Sequence, residues 1–259
     1  MTATEIPVDG TGVVVRSELT GHGQLDVGLQ GDGTDASAEV VAATVATIGE
    51  VRSQHPDRPV RLIGSHPPEA DVPLAAHVAA ALDLQPAREL HQLRRPLPVP
   101  DDHPGRVGVP PLALRPFRPG HDDEAWLRVN NAAFATHPDQ GGQTADELAR
   151  TLAEPWVDLA GFLVTDDPDA PGELAGFCWT RVHPPAGDDP RLGEIYVIGV
   201  APAHHGKKLG AALVLAGLDH LAWVGLRTGM LYVEADNEPA QKLYARLGFA
   251  PHLIIEMFT

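Results

Sequence analysis

Cysteine, lysine and aromatic side chains are all scarce in this 259-residue chain, and each scarcity removes a class of function. The single thiol, Cys178, makes neither an internal disulfide nor a multi-cysteine zinc site, so a reduced, cytoplasmic setting is expected. Lys207, Lys208 and Lys242 are the only lysines, against 35 acidic side chains and a net charge of −16. A nucleic-acid binder needs clustered cations to neutralise phosphates, and this balance argues against one. Aromatics make up 5% of the residues. No run of about 18 apolar residues occurs, and the first ten residues lack the basic-then-apolar layout of a signal peptide, so no membrane role is expected. The 13 histidines are scattered. The adjacent pair His204 and His205 is too close for the usual two-ligand helical spacing, so no metal is expected. What is plentiful is core: 43% hydrophobic residues suit two modest domains or one large one.

The chain changes character between Pro96 and Pro111, where six prolines and two aspartates fall without apolar periodicity. That stretch reads as an exposed, semi-rigid linker. It divides an N-terminal part, residues 1–98, from a C-terminal part, residues 112–259, with 99–111 as the connection. After it, alternation and capping signals predict a strand over Leu112 to Arg118, a helix over Asp122 to Phe134, and strands at Gly161 to Thr165, Glu173 to His183 and Gly193 to Val200. The last is apolar on both faces, which suits a central place in a sheet. Gly206 to Gly225 reads as a well-buried helix, Met230 to Glu234 as a strand, and Pro251 to Phe258 as a closing strand. Between these, Asn237, Pro239 and Gly248 mark the start, first turn and end of another helix. The first 98 residues resemble a worn, partial copy of this order: helix Ala36 to Val51, strand Val60 to Ile63, helix Val72 to Leu82 and strand Glu89 to Arg95. The copy is expected to lack the leading helix and strands.

The loop Val200-Ala201-Pro202-Ala203-His204-His205-Gly206-Lys207-Lys208-Leu209-Gly210 joins the central strand to the buried helix. Small residues and free N–H groups at a helix start, with two of the three lysines beside them, suit a pyrophosphate. A Pro-then-Gly turn opening an ordinary helix needs no ligand, and spacing alone does not choose. The later Asn237-Glu238-Pro239-Ala240-Gln241-Lys242-Leu243-Tyr244-Ala245-Arg246-Leu247-Gly248-Phe249 settles the preference. Loop and segment together resemble the GNAT superfamily of acetyl-CoA N-acyltransferases, whose loop reads Q/R-x-x-G-x-G/A and whose later helix reads N-x-x-A-x-x-L-Y-x-x-x-G-F. The second motif matches in full. The first departs twice, with His205 for Gln or Arg and Lys208 for the middle glycine. Within GNAT proteins, the segments around His137-Pro138-Asp139-Gln140-Gly141, Glu154-Pro155-Trp156, residues 176–183, residues 193–200 and Leu231-Tyr232-Val233 are similar to those of mycothiol synthases, which carry two tandem GNAT modules.

The resemblance implies an α/β GNAT fold, a mixed central sheet flanked by helices, with a degenerate and incomplete first module. It also implies acetyl transfer from acetyl-CoA to the cysteinyl amine of a cysteinyl-glucosaminyl-inositol precursor by a cytoplasmic monomer without metal. Such transfer needs a mild base, because an α-amino group has a pKa near 8. Glu194, a lone carboxylate heading an apolar strand, is the candidate base, and Tyr244 the acid that protonates the departing thiolate. Spacing alone reads Glu194 as a solvated strand end and Tyr244 as a core aromatic. The resemblance further assigns Ile198, Gly199, Val200, His205, Gly206, Lys207, Lys208, Leu209, Gly210, Ala211, Asn237, Ala240 and Lys242 to the acetyl-CoA site. It places Asp139, Arg181, Glu194 and Tyr232 against the acceptor, with Arg181 in place of a usual lysine. Cys178 has no evident base and reads as a packing residue. Another small amine as acceptor, or a non-catalytic acyl-CoA-binding role, stays open at this level.

Overall fold

Strands with one buried face announce themselves by alternation, and Val13, Val15 and Ser17 or Leu25, Val27 and Leu29 supply it near the N-terminus. A computed structural model describes residues 3–20, 23–31, 35–71, 73–135 and 141–259. The chain divides into one unit of Met1–Leu93, Tyr232–Glu238 and Pro251–Thr259 and another of Arg94–Leu231 and Pro239–Ala250.

The first unit begins with three antiparallel strands, β1 (Thr4–Val8), β2 (Val13–Leu19) and β3 (Leu25–Gln30). Helix α1 (Ala38–Ser53), strand β4 (Val60–His66), helix α2 (Leu74–Ala81) and, as far as Leu93, strand β5 (Pro86–Pro96) follow. The leading strands are therefore present, contrary to the expectation that the first copy lacks them. Their local signal is the alternation at Val13, Val15 and Ser17 and at Leu25, Val27 and Leu29. Ser37 caps α1 by accepting from the Val40 amide, and Val40, Thr44, Ile48 and Val51 are buried on one side of the helix. They share a core with Val15, Val27, Leu62 and Val78.

The second unit contains β6 (Arg115–Pro116), α3 (Asp123–Ala133), α4 (Ala145–Leu152), β7 (Phe162–Asp166), β8 (Leu174–His183), β9 (Leu192–Val200), α5 (Leu209–Trp223), the part of β10 (Thr228–Glu234) up to Leu231 and, from Pro239 on, α6 (Glu238–Arg246). Beyond its first residue the last strand, β11 (Ala250–Phe258), belongs to the first unit, pairing antiparallel with β4 from Ile254↔His66 to Phe258↔Leu62. The units are thus not contiguous in sequence, and the order β1-β2-β3-α1-β4-α2-β5 repeats the order β7-β8-β9-α5-β10-α6-β11 element by element.

Three sequence expectations shift in this unit. The opening strand shrinks to Arg115–Pro116, because Pro116 and Pro119 have no N–H to donate to a ladder. Helix α4 is additional. Its signal was legible, since Thr144 and Glu147 form a reciprocal capping box. The proline-rich stretch is not wholly exposed, because Leu97 and Val99 are buried.

Helix α3 covers one face of the β7–β8–β9 layer, where Trp126, Phe162, Phe177 and Trp179 pack with Phe117. Phe162 stacks on Phe117 and on Trp179, each at 4.2 Å between centroids. Helix α5 covers the other face, so closely that a Cβ on Gly217 would come within 2.6 Å of Cys178 Sγ and Ile195. Cys178 is fully buried, and burial pushes its thiol up to about 12, leaving it an inert packing group. β9 is central, antiparallel to β8 and parallel to β10.

The pairing of β9 with β10 is short. It is confined to Gly193↔Gly229 and Glu194↔Met230. The equivalent pair in the first unit, β3 with β4, runs on through Leu25↔Val60, Asp26↔Arg61, Val27↔Leu62 and Gly28↔Ile63. Beyond Glu194, one edge of β9 is therefore without a strand neighbour among the described residues, and a splayed edge of this kind leaves amides available to a ligand. Among the described residues no helix is long and apolar enough to cross a membrane.

Candidate active site

β9 connects the two halves of the site. Its C-terminal end runs through Ile198, Gly199 and Val200, which pair with Cys178, Phe177 and Gly176 of β8 on one side only. Gly199 is required by packing, since a Cβ there would meet Phe177 at 2.5 Å. The chain then makes a single 3-10 turn, Pro202–His204, and a loop that ends at Leu209. The helix was expected from Gly206. It starts three residues later because Gly206 and Lys208 both adopt left-handed backbone, with φ of 77° and 59°.

Lys208 therefore holds a conformation that a glycine takes without strain, at a cost of about 1–2 kcal/mol for a residue with a Cβ. Its ammonium runs to Gly108, within 2.9 Å of where a Cβ would stand there. No side chain caps α5, so the amides of Leu209, Gly210 and Ala211 open toward the loop with the positive end of the helix dipole behind them. Gly210 has only ordinary contacts, with Leu243 and Val200.

The loop is braced from within. His204 is buried, its Nε2 is 2.8 Å from Asp167 Oδ2, and Lys207 Nζ approaches its Nδ1 at 3.4 Å. The hydrogen bond from His204 holds the Asp167 carboxyl below its usual range. His205 is exposed, and its Nε2 turns back to the Val200 carbonyl at 3.1 Å. Lys207, Lys208 and Lys242 are all exposed. A bare helix start, two left-handed residues and flanking ammonium groups fit a diphosphate.

At the other end of the strand, Glu194 is 6% exposed. Its Oε2 accepts from His183 Nε2 at 2.7 Å. Sequence reasoning missed His183, although its alternation with Arg181 along β8 puts both on one face, and Arg181 pairs with Glu194 in the ladder. A second device had no sequence signal. Between the pairs Thr180↔Ile195 and Trp179↔Val197, β9 carries one extra residue, Tyr196. This bulge turns both Tyr196 and Val197 toward the α3 side. Arg181 is then stacked over Trp156 at 4.5 Å and near Tyr196 at 5.8 Å. These three residues face a cavity of about 580 Å³ beside α4.

Tyr244 lies on α6, 7% exposed and edge-on to Phe249 at 5.8 Å. Its hydroxyl has no hydrogen-bond partner among the described residues. Burial pushes that hydroxyl up to about 12, with the Cys178 thiol adding to the rise. Ala240 and Lys242 share the helix, Pro239 is in its first turn, and Gly248 ends it with φ of 82°.

The structure does not bring every expected residue to this unit. Tyr232 and Asn237 belong to the first unit. The Tyr232 hydroxyl accepts from Gln92 Nε2 at 2.7 Å, and the Asn237 amide donates to the Glu234 carbonyl. Asp139, with the rest of its motif from His137 to Gln140, lies outside the described residues. Among the described residues no three His, Cys, Asp or Glu side chains converge in a way that would hold a metal ion.

Comparison with known proteins follows the same lines. Residues 126–249 match the Acetyltransferase (GNAT) family. The chain is 42% identical over 246 residues to the mycothiol acetyltransferase of Geodermatophilus obscurus, covering 91% of this chain and 77% of that one. It is 49% identical over 175 residues to the mycothiol acetyltransferase of Pseudarthrobacter chlorophenolicus, covering 68% of this chain and 53% of the relative. The chain thus spans about half the length of the latter. Among solved structures, a GCN5-related N-acetyltransferase from Sphaerobacter thermophilus superposes with a TM-score of 0.67 at 20% identity, covering 95% of this chain and 76% of that one. That likeness establishes a GNAT fold.

Proposed function

The chain belongs to the mycothiol acetyltransferase family, and on that premise we propose that it transfers the acetyl group of acetyl-CoA to the cysteinyl amine of a cysteinyl-glucosaminyl-inositol, acting as a monomer in the cytoplasm. The observation that carries the reading is β9 itself. It holds a buried carboxylate beside a polar cavity at one end and opens into a bare helix start at the other, with an unpaired edge between.

Acetyl-CoA supplies an activated thioester, and its diphosphate suits the amides of Gly206 to Ala211 with Lys207, Lys208 and Lys242 around them. The splayed edge at Ile198, Gly199 and Val200 holds the pantetheine and offers amides to the acetyl oxygen. Glu194 takes the proton from the attacking amine. His183 fixes its Oε2, which leaves Oε1 for that proton. Arg181 contacts the acceptor, and the family resemblance assigns Asp139 and Tyr232 to the acceptor as well and Asn237 and Ala240 to the cofactor. The first unit is a worn repeat of the catalytic one.

Tyr244 faces the departing sulfur. With its pKa raised to about 12, it gives a hydrogen bond more readily than it gives its proton, because a thiol is the stronger acid. Tyr244→Phe should lower kcat by about 10- to 100-fold, in the range seen for loss of one such donor, while the KM for acetyl-CoA stays nearly constant. Between pH 7 and 10 the wild-type rate should rise as the amine deprotonates, with no falling limb from Tyr244. A steady-state pH profile checks both.

The loop makes a separate prediction. Gly206 has free space around it but a φ that a β-branched residue does not tolerate. Gly206→Val should raise the KM for acetyl-CoA about tenfold or more, the equivalent of about 1.4 kcal/mol, with little change in kcat. Lys208→Gly removes backbone strain and one ammonium group together, so it should change acetyl-CoA affinity less than Gly206→Val does. Isothermal titration with acetyl-CoA reads both. CoA release that depends on an acceptor with a cysteinyl amine, and is not supported by amines that lack the cysteinyl group, tests the reaction itself.

A further inference from the structure

Two residues that line the cavity beside α4 each carry a buried polar atom with nothing to bond. Arg181 Nε and Gln143 Oε1 are both buried and, among the described residues, both without a hydrogen-bond partner. Both residues line the cavity. One is a donor and the other an acceptor. Leaving either unmade costs about 1–3 kcal/mol, so two such residues side by side in one cavity wall point to a ligand that draws both groups out and satisfies them. A hydroxyl does so, since it donates one hydrogen and accepts through its lone pairs.

The setting holds these atoms in place. The Gln143 backbone is clamped to α3, its amide donating to Asn131 Oδ1 at 3.0 Å and its carbonyl accepting from Asn131 Nδ2 at 2.9 Å. Arg181 is held flat against Trp156, so its guanidinium does not swing away. The charges around the cavity cancel: Arg150 and Arg181 face Glu147 and Glu154. An anion would find no net attraction there, whereas an uncharged polyhydroxyl compound finds donors and acceptors on several sides.

Building on the acceptor reading above, we propose that this cavity takes the polyol end of the acceptor, a sugar or cyclitol, and that Gln143 is a specificity-determining residue that reads one of its hydroxyls together with Arg181. Glu194 is next to the cavity, paired with Arg181 across the ladder and two residues from Tyr196, so a polyol seated here presents an attached amine toward the carboxylate.

The test compares wild type with Gln143→Met on two acceptors that carry the same amine, the cysteinyl-glucosaminyl-inositol and cysteine methylamide. Gln143→Met should raise the KM for the polyol acceptor about tenfold and leave kcat, the KM for acetyl-CoA and all constants for cysteine methylamide unchanged. Trp156→Leu, which frees Arg181, should act in the same direction. Equal losses on both acceptors, or no loss on either, overturn the proposal. If wild type acetylates neither acceptor, the acetyl-transfer reading fails on its own, and calorimetry with glucosaminyl-inositol decides the cavity. Binding that weakens in Gln143→Met upholds it; absent binding, or binding equal in the two proteins, overturns it.

Discussion

Glu194→Gln should lower the acetylation rate by about 10²- to 10⁴-fold at neutral pH, the range general-base catalysis commonly contributes. The acceptor amine has a pKa near 8, so at pH 7 most of it carries a proton that must leave before or during attack. Glutamine keeps the size of the side chain and an oxygen for His183 to bond, and removes only the ability to take that proton. KM for acetyl-CoA should hold, because the cofactor loop is at the opposite end of β9. The loss should shrink at high pH, where the amine is already neutral. His183→Leu, which leaves the carboxylate present but no longer fixed, should cost less than Glu194→Gln and lower kcat more than it raises KM. A rate equal to wild type in Glu194→Gln across the pH range would remove Glu194 from the chemistry.

Asp122→Asn should destabilise the second unit by about 3–5 kcal/mol, the usual cost of removing one partner from a buried ion pair. Asp122 is 3% exposed and bonds to Arg115 Nη1 at 2.6 Å, the Arg118 amide at 2.8 Å and His121 Nδ1 at 2.9 Å. Arg115 in turn reaches Asp166 at the end of β7, so one carboxylate ties β6, α3 and β7 together. Burial alone would push its pKa up, but the hydrogen bonds from Arg115, Arg118 and His121 outweigh it and hold the carboxyl well below the usual range. The sign follows from linkage. A carboxyl with a depressed folded pKa contributes stability that is fully present above its unfolded pKa, near 3.9, and is lost as pH falls toward the folded value. Denaturant melts of wild type should therefore weaken below about pH 4, and Asp122→Asn should show less of that acid dependence.

How far these features were legible depends on whether their cause is local. β9 was readable because Ile195 to Val200 is apolar on both faces, and α6 because Pro239 and Gly248 punctuate it. The capping box before α4 was equally local and was passed over. The partner of β11 was not readable, since nothing in Ala250 to Phe258 states that it will pair with β4. The late start of α5 depends on Lys208 taking a left-handed conformation that its residue type does not advertise. Glu194 could be singled out as a lone carboxylate in an apolar strand, but its partner His183 emerges only with the β8–β9 register, and the cavity only with the Tyr196 bulge. Chemistry carried by one residue type at one position was visible in sequence; chemistry made by register and bulge was not.

The most direct test of the central claim is the product itself. Purified protein is incubated with acetyl-CoA and the cysteinyl-glucosaminyl-inositol, and the acceptor is analysed by mass spectrometry after thiol labelling. The account predicts one acetyl group on the cysteinyl nitrogen, a thiol still free to label, and one CoA released for each acceptor consumed. Acetyl-CoA bound with no acetylated acceptor formed would contradict it.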